Sequence, residues 1–229
     1  MPRIGICALL SCALLTSSTL ATPTVTVTRT SGYYSGIGGE YTLAPDAAFA
    51  ALTGQAGPFQ SFCVEVTESV IPGSIYDIQI GTEAMSGGLN NGLTGPGGGD
   101  PLDARTAYLY SNFQAGTLSG YDYTPGAGRS NSARALQDVI WYIENETANT
   151  WSTGTLEDTF YTAAQNAVTS GSWAGLGNVR VLNLYGTGHI GDLQYRNQDM
   201  LVTIPAPGAV TLCCLGAVLA GWLRRRRAL

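Results

Sequence analysis

Alternation of apolar and polar side chains predicts short β-strands in the first half of the chain. Successive side chains of a strand point to opposite faces, so Phe62 and Val64 are expected on one face and Cys63 on the other. The strands predicted in this half cover residues 24–30, 40–43, 61–66 and 74–80. Together they indicate an antiparallel β unit.

Apolar residues recur with helical spacing in the second half. The predicted helices run from Asp103 to a stop at Gly116, from a cap at Ser130 or Ser132 to about Glu146, and over residues 156–168. Gln137 lies within the apolar stripe of the second helix, an unusual place for an amide unless it is hydrogen-bonded. With closing strands over residues 179–184 and 200–204, the pattern predicts an α+β fold. We expect an antiparallel β-sheet or small β-sandwich with two or three helices.

Two apolar segments at the ends of the chain indicate export. Residues 1–21 carry Arg3, an apolar stretch and a small-residue end at Ala21, which is typical of a secretory signal peptide. Residues 208–223 form a single hydrophobic stretch that is followed by four arginines. Basic residues stay on the cytoplasmic side of a membrane, so residues 22–203 are predicted to be the exported domain.

The tail combines a proline-containing break, an apolar helix and a basic stop. These elements are Pro205, Ala206, Pro207 and Gly208 before the predicted transmembrane helix, and Arg224, Arg225, Arg226 and Arg227 after it. The arrangement over residues 204–229 resembles the PEP-CTERM sorting signal. That resemblance implies transit through the inner membrane, removal of the tail by an exosortase-like enzyme, and delivery to the cell envelope, the surface or the extracellular matrix. An ordinary single-span anchor that stays in the membrane is the alternative.

The charge of the exported domain argues against nucleic acid as a partner. Five of the eleven basic residues, all of them arginines, lie in the two end segments, which leaves six against sixteen acidic residues. Such a surface repels nucleic acid and anionic lipid. We therefore expect contact with a membrane only through the C-terminal helix before processing.

Cys63 is alone in the predicted exported domain. Cys7, Cys12, Cys213 and Cys214 all fall in the end segments, so no disulfide framework is expected. A lone exported cysteine is buried and inert, paired between chains, or present for its chemistry. If Cys63 lies against Gln137, its sulfur can attack the side-chain carbonyl, expel ammonia and leave an internal thioester.

The residues around both positions resemble known signatures. Phe-Cys-Val-Glu at residues 62–65 and Leu-Gln-Asp-Val-Ile-Trp at residues 136–141 resemble the two motifs of the thioester domains of bacterial surface adhesins. The resemblance implies a bond between Cys63 and Gln137 and a partner that carries an amine on a surface or in a matrix. It implies no cofactor.

Three function classes follow from these patterns. The first is an exported surface or matrix protein, an adhesin if the thioester forms, and the second is a structural protein of biofilm or exopolysaccharide without a reactive bond. An enzyme comes third, and we expect no catalytic residues and no metal site. Carboxylates such as Glu65, Glu68, Glu144 and Glu146 are expected to be solvated surface charges.

Overall fold

The computed structural model describes residues 21–36, 38–86, 88–89 and 93–204. The predicted sorting signal, apart from Ile204, and the predicted signal peptide, apart from Ala21, lie outside the described residues. The predicted transmembrane helix over residues 208–223 lies there too. Within the described part, no helix is long and apolar enough to cross a membrane.

The chain folds as an α+β domain, as the sequence predicts. Its strands are β1 (Thr24–Thr28), β2 (Tyr41–Pro45), β3 (Phe59–Ser61), β4 (Ile75–Gly81), β5 (Glu83–Ala84), β6 (Asp100–Pro101), β7 (Val179–Tyr185) and β8 (Met200–Thr203). The helices are α1 (Ala47–Thr53), α2 (Ala104–Gln114), α3 (Ala127–Ile143) and α4 (Leu156–Thr169), with one 3₁₀ turn at Leu193–Tyr195. The described residues thus hold four α-helices, one more than the upper number predicted.

One antiparallel sheet contains six of these strands in the order β3-β2-β1-β4-β7-β8. The two edge strands of this order, β3 and β8, meet just after the end of β3. There the Leu201 N–H donates to the Phe62 carbonyl at 3.2 Å, and the Val64 N–H donates to the Asp199 carbonyl at 2.8 Å. The sheet therefore nearly closes on itself along the segment that carries Cys63. β5 and β6 form a separate two-stranded ribbon, so the packed sheets of a small β-sandwich do not occur among the described residues.

Two predicted boundaries change for local reasons, and the structure adds one helix that the sequence pattern does not predict. The strand expected over residues 61–66 ends at Ser61, because the chain there leaves β2 and Cys63 pairs with Met200 instead. Helix α3 begins at Ala127 rather than at a serine cap, since the Gly126 carbonyl accepts from the Ser130 N–H at 3.0 Å. Helix α1 was not predicted, although Asp46 caps it by accepting from the Phe49 N–H at 2.7 Å.

Buried apolar side chains form two clusters on either side of the sheet. The larger lies between the sheet and helices α2, α3 and α4 and contains Phe62 and Val64, while the smaller contains Cys63. The predicted alternation of Phe62, Cys63 and Val64 is therefore confirmed. Trp141 of α3 belongs to the smaller cluster, so this helix contributes to both.

Candidate functional site

Helix α3 places the Gln137 side chain in the interior. Leu136 and Ile140 on the same helix are fully buried in the larger cluster, and Gln137 itself is only 1% exposed. Burial of an amide is costly unless its polar atoms are bonded, so the side chain needs partners at this position. The predicted placement of Gln137 on the buried face is confirmed.

The partners of the Gln137 amide are two backbone segments that lie far away in sequence. Its Oε1 accepts from the Cys63 N–H at 2.9 Å and from the Gly39 N–H at 3.1 Å. Its Nε2 donates to the Cys63 carbonyl oxygen at 2.7 Å. The amide is therefore bonded to both backbone polar groups of Cys63, and the structure brings the two predicted residues together.

Two backbone N–H groups on one carbonyl oxygen form an arrangement that stabilises negative charge. When a nucleophile attacks a carbonyl carbon, the charge develops on its oxygen, and fixed N–H donors lower the energy of that state. The amide orientation follows from its neighbours, because the reverse assignment would place the side-chain NH₂ against both N–H groups. The Cys63 and Gly39 N–H groups can thus act as an oxyanion hole for chemistry at Gln137.

The loop that supplies the Gly39 N–H requires glycine at two consecutive positions. A Cβ atom at Gly38 would lie 2.3 Å from Gln137 Cγ, and one at Gly39 would lie 2.1 Å from Phe62 Cδ1. No side chain fits at such distances without movement of the core. The two glycines let the loop backbone pass directly over the Gln137 amide.

Cys63 is enclosed and carries its proton. It is a free cysteine with 2% of its surface exposed. Burial raises the pKa of its thiol well above the ordinary value, and the nearby Glu68 adds to the effect. A buried thiol of this kind does not meet a second chain, so an interchain disulfide at Cys63 does not fit the structure.

A surface cavity of about 240 Å³ opens beside the Gln137 amide. Its lining includes Ser35, Gly38, Arg134, Gln137, Asp138 and Trp141. Burial raises the pKa of Asp138, whose Oδ2 lies 3.5 Å from Nη1 of Arg134 on the preceding turn of α3. The cavity gives a small partner a route to Gln137 from outside.

Glu65, Glu144 and Glu146 are buried and Glu68 is half-buried, so the expectation that these carboxylates are solvated was wrong. Glu65 and Glu146 are 1% and 3% exposed, and Glu144 accepts from the Asp103 N–H at 3.3 Å ahead of α2. Burial, followed by the charge of Glu146, raises the pKa of Glu65, while burial and Glu68 raise the pKa of Asp199 to about 8. These groups form a buried acidic cluster, defined here as Glu65, Glu68, Glu146 and Asp199.

A nucleophile and base pair of Cys63 with His189 is not assembled in the described part of the chain. His189 stacks on Tyr195 at 3.5 Å in the connection after β7, whereas Cys63 lies in the core. Over residues 21–36, 38–86, 88–89 and 93–204, no group of three or more His, Cys, Asp or Glu side chains is placed to hold a metal ion.

The sequence patterns did not identify the residues that complete the site. Gly38 and Gly39 received no role, and the local signal for them is a glycine pair directly before an acidic residue. Comparison with known proteins adds no further residue: no family model matches the chain, and neither a curated protein nor a solved structure matches it.

Proposed function

We propose that this protein is an exported adhesin in which Cys63 and Gln137 form an internal thioester that captures an amine-bearing partner. One observation carries the proposal: the Gln137 amide is bonded to both the N–H and the carbonyl of Cys63, with its oxygen held by two N–H donors. A buried amide oxygen can accept two hydrogen bonds for stability alone. The same two donors would also stabilise the oxyanion that forms when the Cys63 sulfur attacks the Gln137 carbonyl carbon.

Thioester formation balances without any further reactant. The Cys63 sulfur bonds to the Gln137 Cδ, the Cδ–Nε2 bond breaks, and the nitrogen leaves as ammonia with the thiol proton. The raised pKa of Cys63 is compatible with this step, because the proton has an acceptor in the departing nitrogen. A partner amine then attacks Cδ, an amide forms, and Cys63 regains its thiol.

Burial supports the persistence of such a bond. Cys63 and Gln137 are each at most 2% exposed, so bulk water has little access to the carbon that would be hydrolysed. The cavity beside Gln137 offers a narrow approach for a partner. The chain also contains no lysine that could attack the bond in the same or a neighbouring molecule.

The export part of the proposal is supported by the two end segments. A signal peptide over residues 1–21 and the tail from Pro205 to Arg227 would deliver the domain through the inner membrane to an exosortase-like enzyme. The product would act on the cell surface or in the extracellular matrix.

A structural matrix protein without a reactive bond is the second candidate. The observation in its favour is that the intact Gln137 amide, with no bond to the Cys63 sulfur, makes all three of these hydrogen bonds. The amide would then serve to join the Cys63 segment to α3, and the thiol would pack as a small apolar group.

Intact mass separates the two candidates. Protein purified from cells that express the full chain should weigh one ammonia less than the mass calculated for its observed ends. Cys63→Ala and Gln137→Ala should each show no such loss, and methylamine should add to the wild type alone. A wild type of full mass whose thiol is alkylated after unfolding would leave the structural matrix protein as the better account.

A further inference from the structure

The loop between β1 and β2 is held to helix α3 by a buried ion pair. Glu40 is fully buried, and its carboxylate accepts from Arg129 Nε at 2.8 Å and from Arg129 Nη2 at 2.7 Å. The Tyr121 hydroxyl donates to the same carboxylate. Burial and the charge of Glu40 raise the pKa of Tyr121, so the hydroxyl keeps its proton. Glu40 is therefore fixed by three hydrogen bonds.

Arg129 also contacts the loop before Glu40. Its guanidinium carbon lies 3.6 Å from the centre of the Tyr33 ring, and its Nη1 donates to the Tyr123 carbonyl at 2.7 Å. Close by, the Gly126 N–H donates to the Gly32 carbonyl at 2.9 Å. The loop is thus attached to the N-terminal end of α3 on both sides of its tip.

The position of this attachment matters because Glu40 directly follows Gly39. Arg129 and Gln137 lie on one continuous helix, about 12 Å apart along its axis. A helix is stiff over that length, so fixing Glu40 on Arg129 also fixes the Gly39 peptide relative to Gln137. We propose that Glu40 and Arg129 are positioning residues that hold the Gly39 N–H on Gln137 Oε1 for thioester formation; this inference rests on the proposed function.

The Glu40–Arg129 ion pair is better suited to fixing the position of the loop than to adding stability alone. Replacement of a buried ion pair by apolar side chains is often neutral or stabilising, because taking two charges out of water is costly. A two-pronged Arg–carboxylate contact instead defines distance and angle together. An oxyanion hole needs that definition, since a small displacement of a donor removes most of its effect.

The test uses Arg129→Lys and Glu40→Gln, which keep side-chain length while breaking the two-pronged contact. Arg105→Lys is the control, because Arg105 forms a two-pronged pair with Asp103 at the start of α2 that is more exposed and does not contact the loop at Gly39. Ammonia loss is followed by intact mass in the newly synthesised full chain. The Glu40–Arg129 pair is called the clamp here. Both clamp variants, Arg129→Lys and Glu40→Gln, should lose ammonia at least about tenfold more slowly than wild type and the control, as expected when an oxyanion-hole donor is displaced.

A second measurement separates this inference from the proposed function. In a Cys63→Ala background, where no thioester forms, hydrogen exchange of the Gly39 amide should accelerate in both clamp variants, while the core of α4 keeps its protection. If the wild type never loses ammonia, the proposed function fails, and the exchange result alone decides whether the clamp holds Gly39. Unchanged Gly39 exchange in both variants overturns the inference. Faster Gly39 exchange with wild-type ammonia loss, or faster exchange across the whole domain, overturns it as well.

Discussion

Glu146, which follows the C-terminal end of α3, accepts a hydrogen bond from the Val66 N–H at 2.9 Å. Val66 lies three residues after Cys63, and Gln137 of the same helix holds Cys63 itself. Helix α3 therefore binds the Cys63 segment at two points, one at its middle and one beyond its end. Both contacts oppose movement of the segment away from Gln137.

The second of these contacts gives a prediction for stability. Glu146→Ala leaves the partly buried Val66 N–H without its charged acceptor and should lower the free energy of unfolding by about 1–3 kcal/mol. Glu146→Gln keeps an acceptor oxygen for the Val66 N–H and replaces one carboxyl of the buried acidic cluster with an amide. It should therefore lower the free energy of unfolding clearly less than Glu146→Ala does. Urea unfolding of the two variants measures the difference. Equal losses would show that the Val66 contact is not what Glu146 contributes.

Gly38 provides a prediction for the site. Gly38→Ala places a methyl group against Gln137 Cγ and Trp141 and should lower the free energy of unfolding by about 1–3 kcal/mol, as in other overpacked cores. It should also slow ammonia loss, because the Gln137 amide has to shift. Gly57→Ala is the control, since an added Cβ there meets no atom within 4 Å. Wild-type behaviour of Gly38→Ala in both measurements would contradict the described approach of the loop.

The buried carboxyl groups predict how stability depends on pH. Folding raises the pKa of Glu65, and it raises those of Asp199 and Glu144 to about 8. The folded state then binds protons more tightly than the unfolded state, so its stability is greatest near pH 4 for these groups and declines as the pH rises toward about 8. Thermal unfolding between pH 4 and pH 9 should show this decline.

A variant of the cluster tests the cause of that decline. Glu65→Gln mimics the protonated carboxyl and should make the fall in melting temperature with rising pH shallower. Asp192→Asn makes the same change from carboxyl to amide at an exposed position outside the cluster and should leave the slope unchanged. Parallel slopes for wild type and Glu65→Gln would assign the pH dependence to other groups.

Processing of the tail is the fourth prediction. The mature protein recovered from the envelope or the medium should lack Trp222 and the arginines from Arg224 to Arg227, because the proline break ahead of the apolar stretch resembles a cleavage signal. Mass spectrometry of its C-terminal peptide measures this. An intact C-terminus on most of the surface protein would favour a permanent membrane anchor.

The sequence predicted part of the site. Features set by local geometry were predicted, and contacts between distant parts of the chain were not. Periodicity placed Gln137 on the inner face of α3 and Cys63 opposite Phe62, because those features depend on local geometry. The Gly39 donor and the Glu40–Arg129 pair join residues far apart in the chain, and no local pattern records such contacts. Glu65 was expected in solvent because carboxylates are rarely buried, and the residues close to it, Glu146 and Asp199, lie far away in the chain.

The meeting of β8 with the segment that follows β3 also decides how the domain would carry a mechanical load. β8 is the last strand before the predicted tail, and it is bonded to β7 on one side and to the Cys63 segment on the other. For a molecule tethered at its C-terminal end and bonded to a partner at Gln137, tension passes from β8 through the Phe62 and Val64 contacts directly into α3. The ladder between β7 and β8 shares this load, so part of the pull falls on the bonds that hold Cys63 in place.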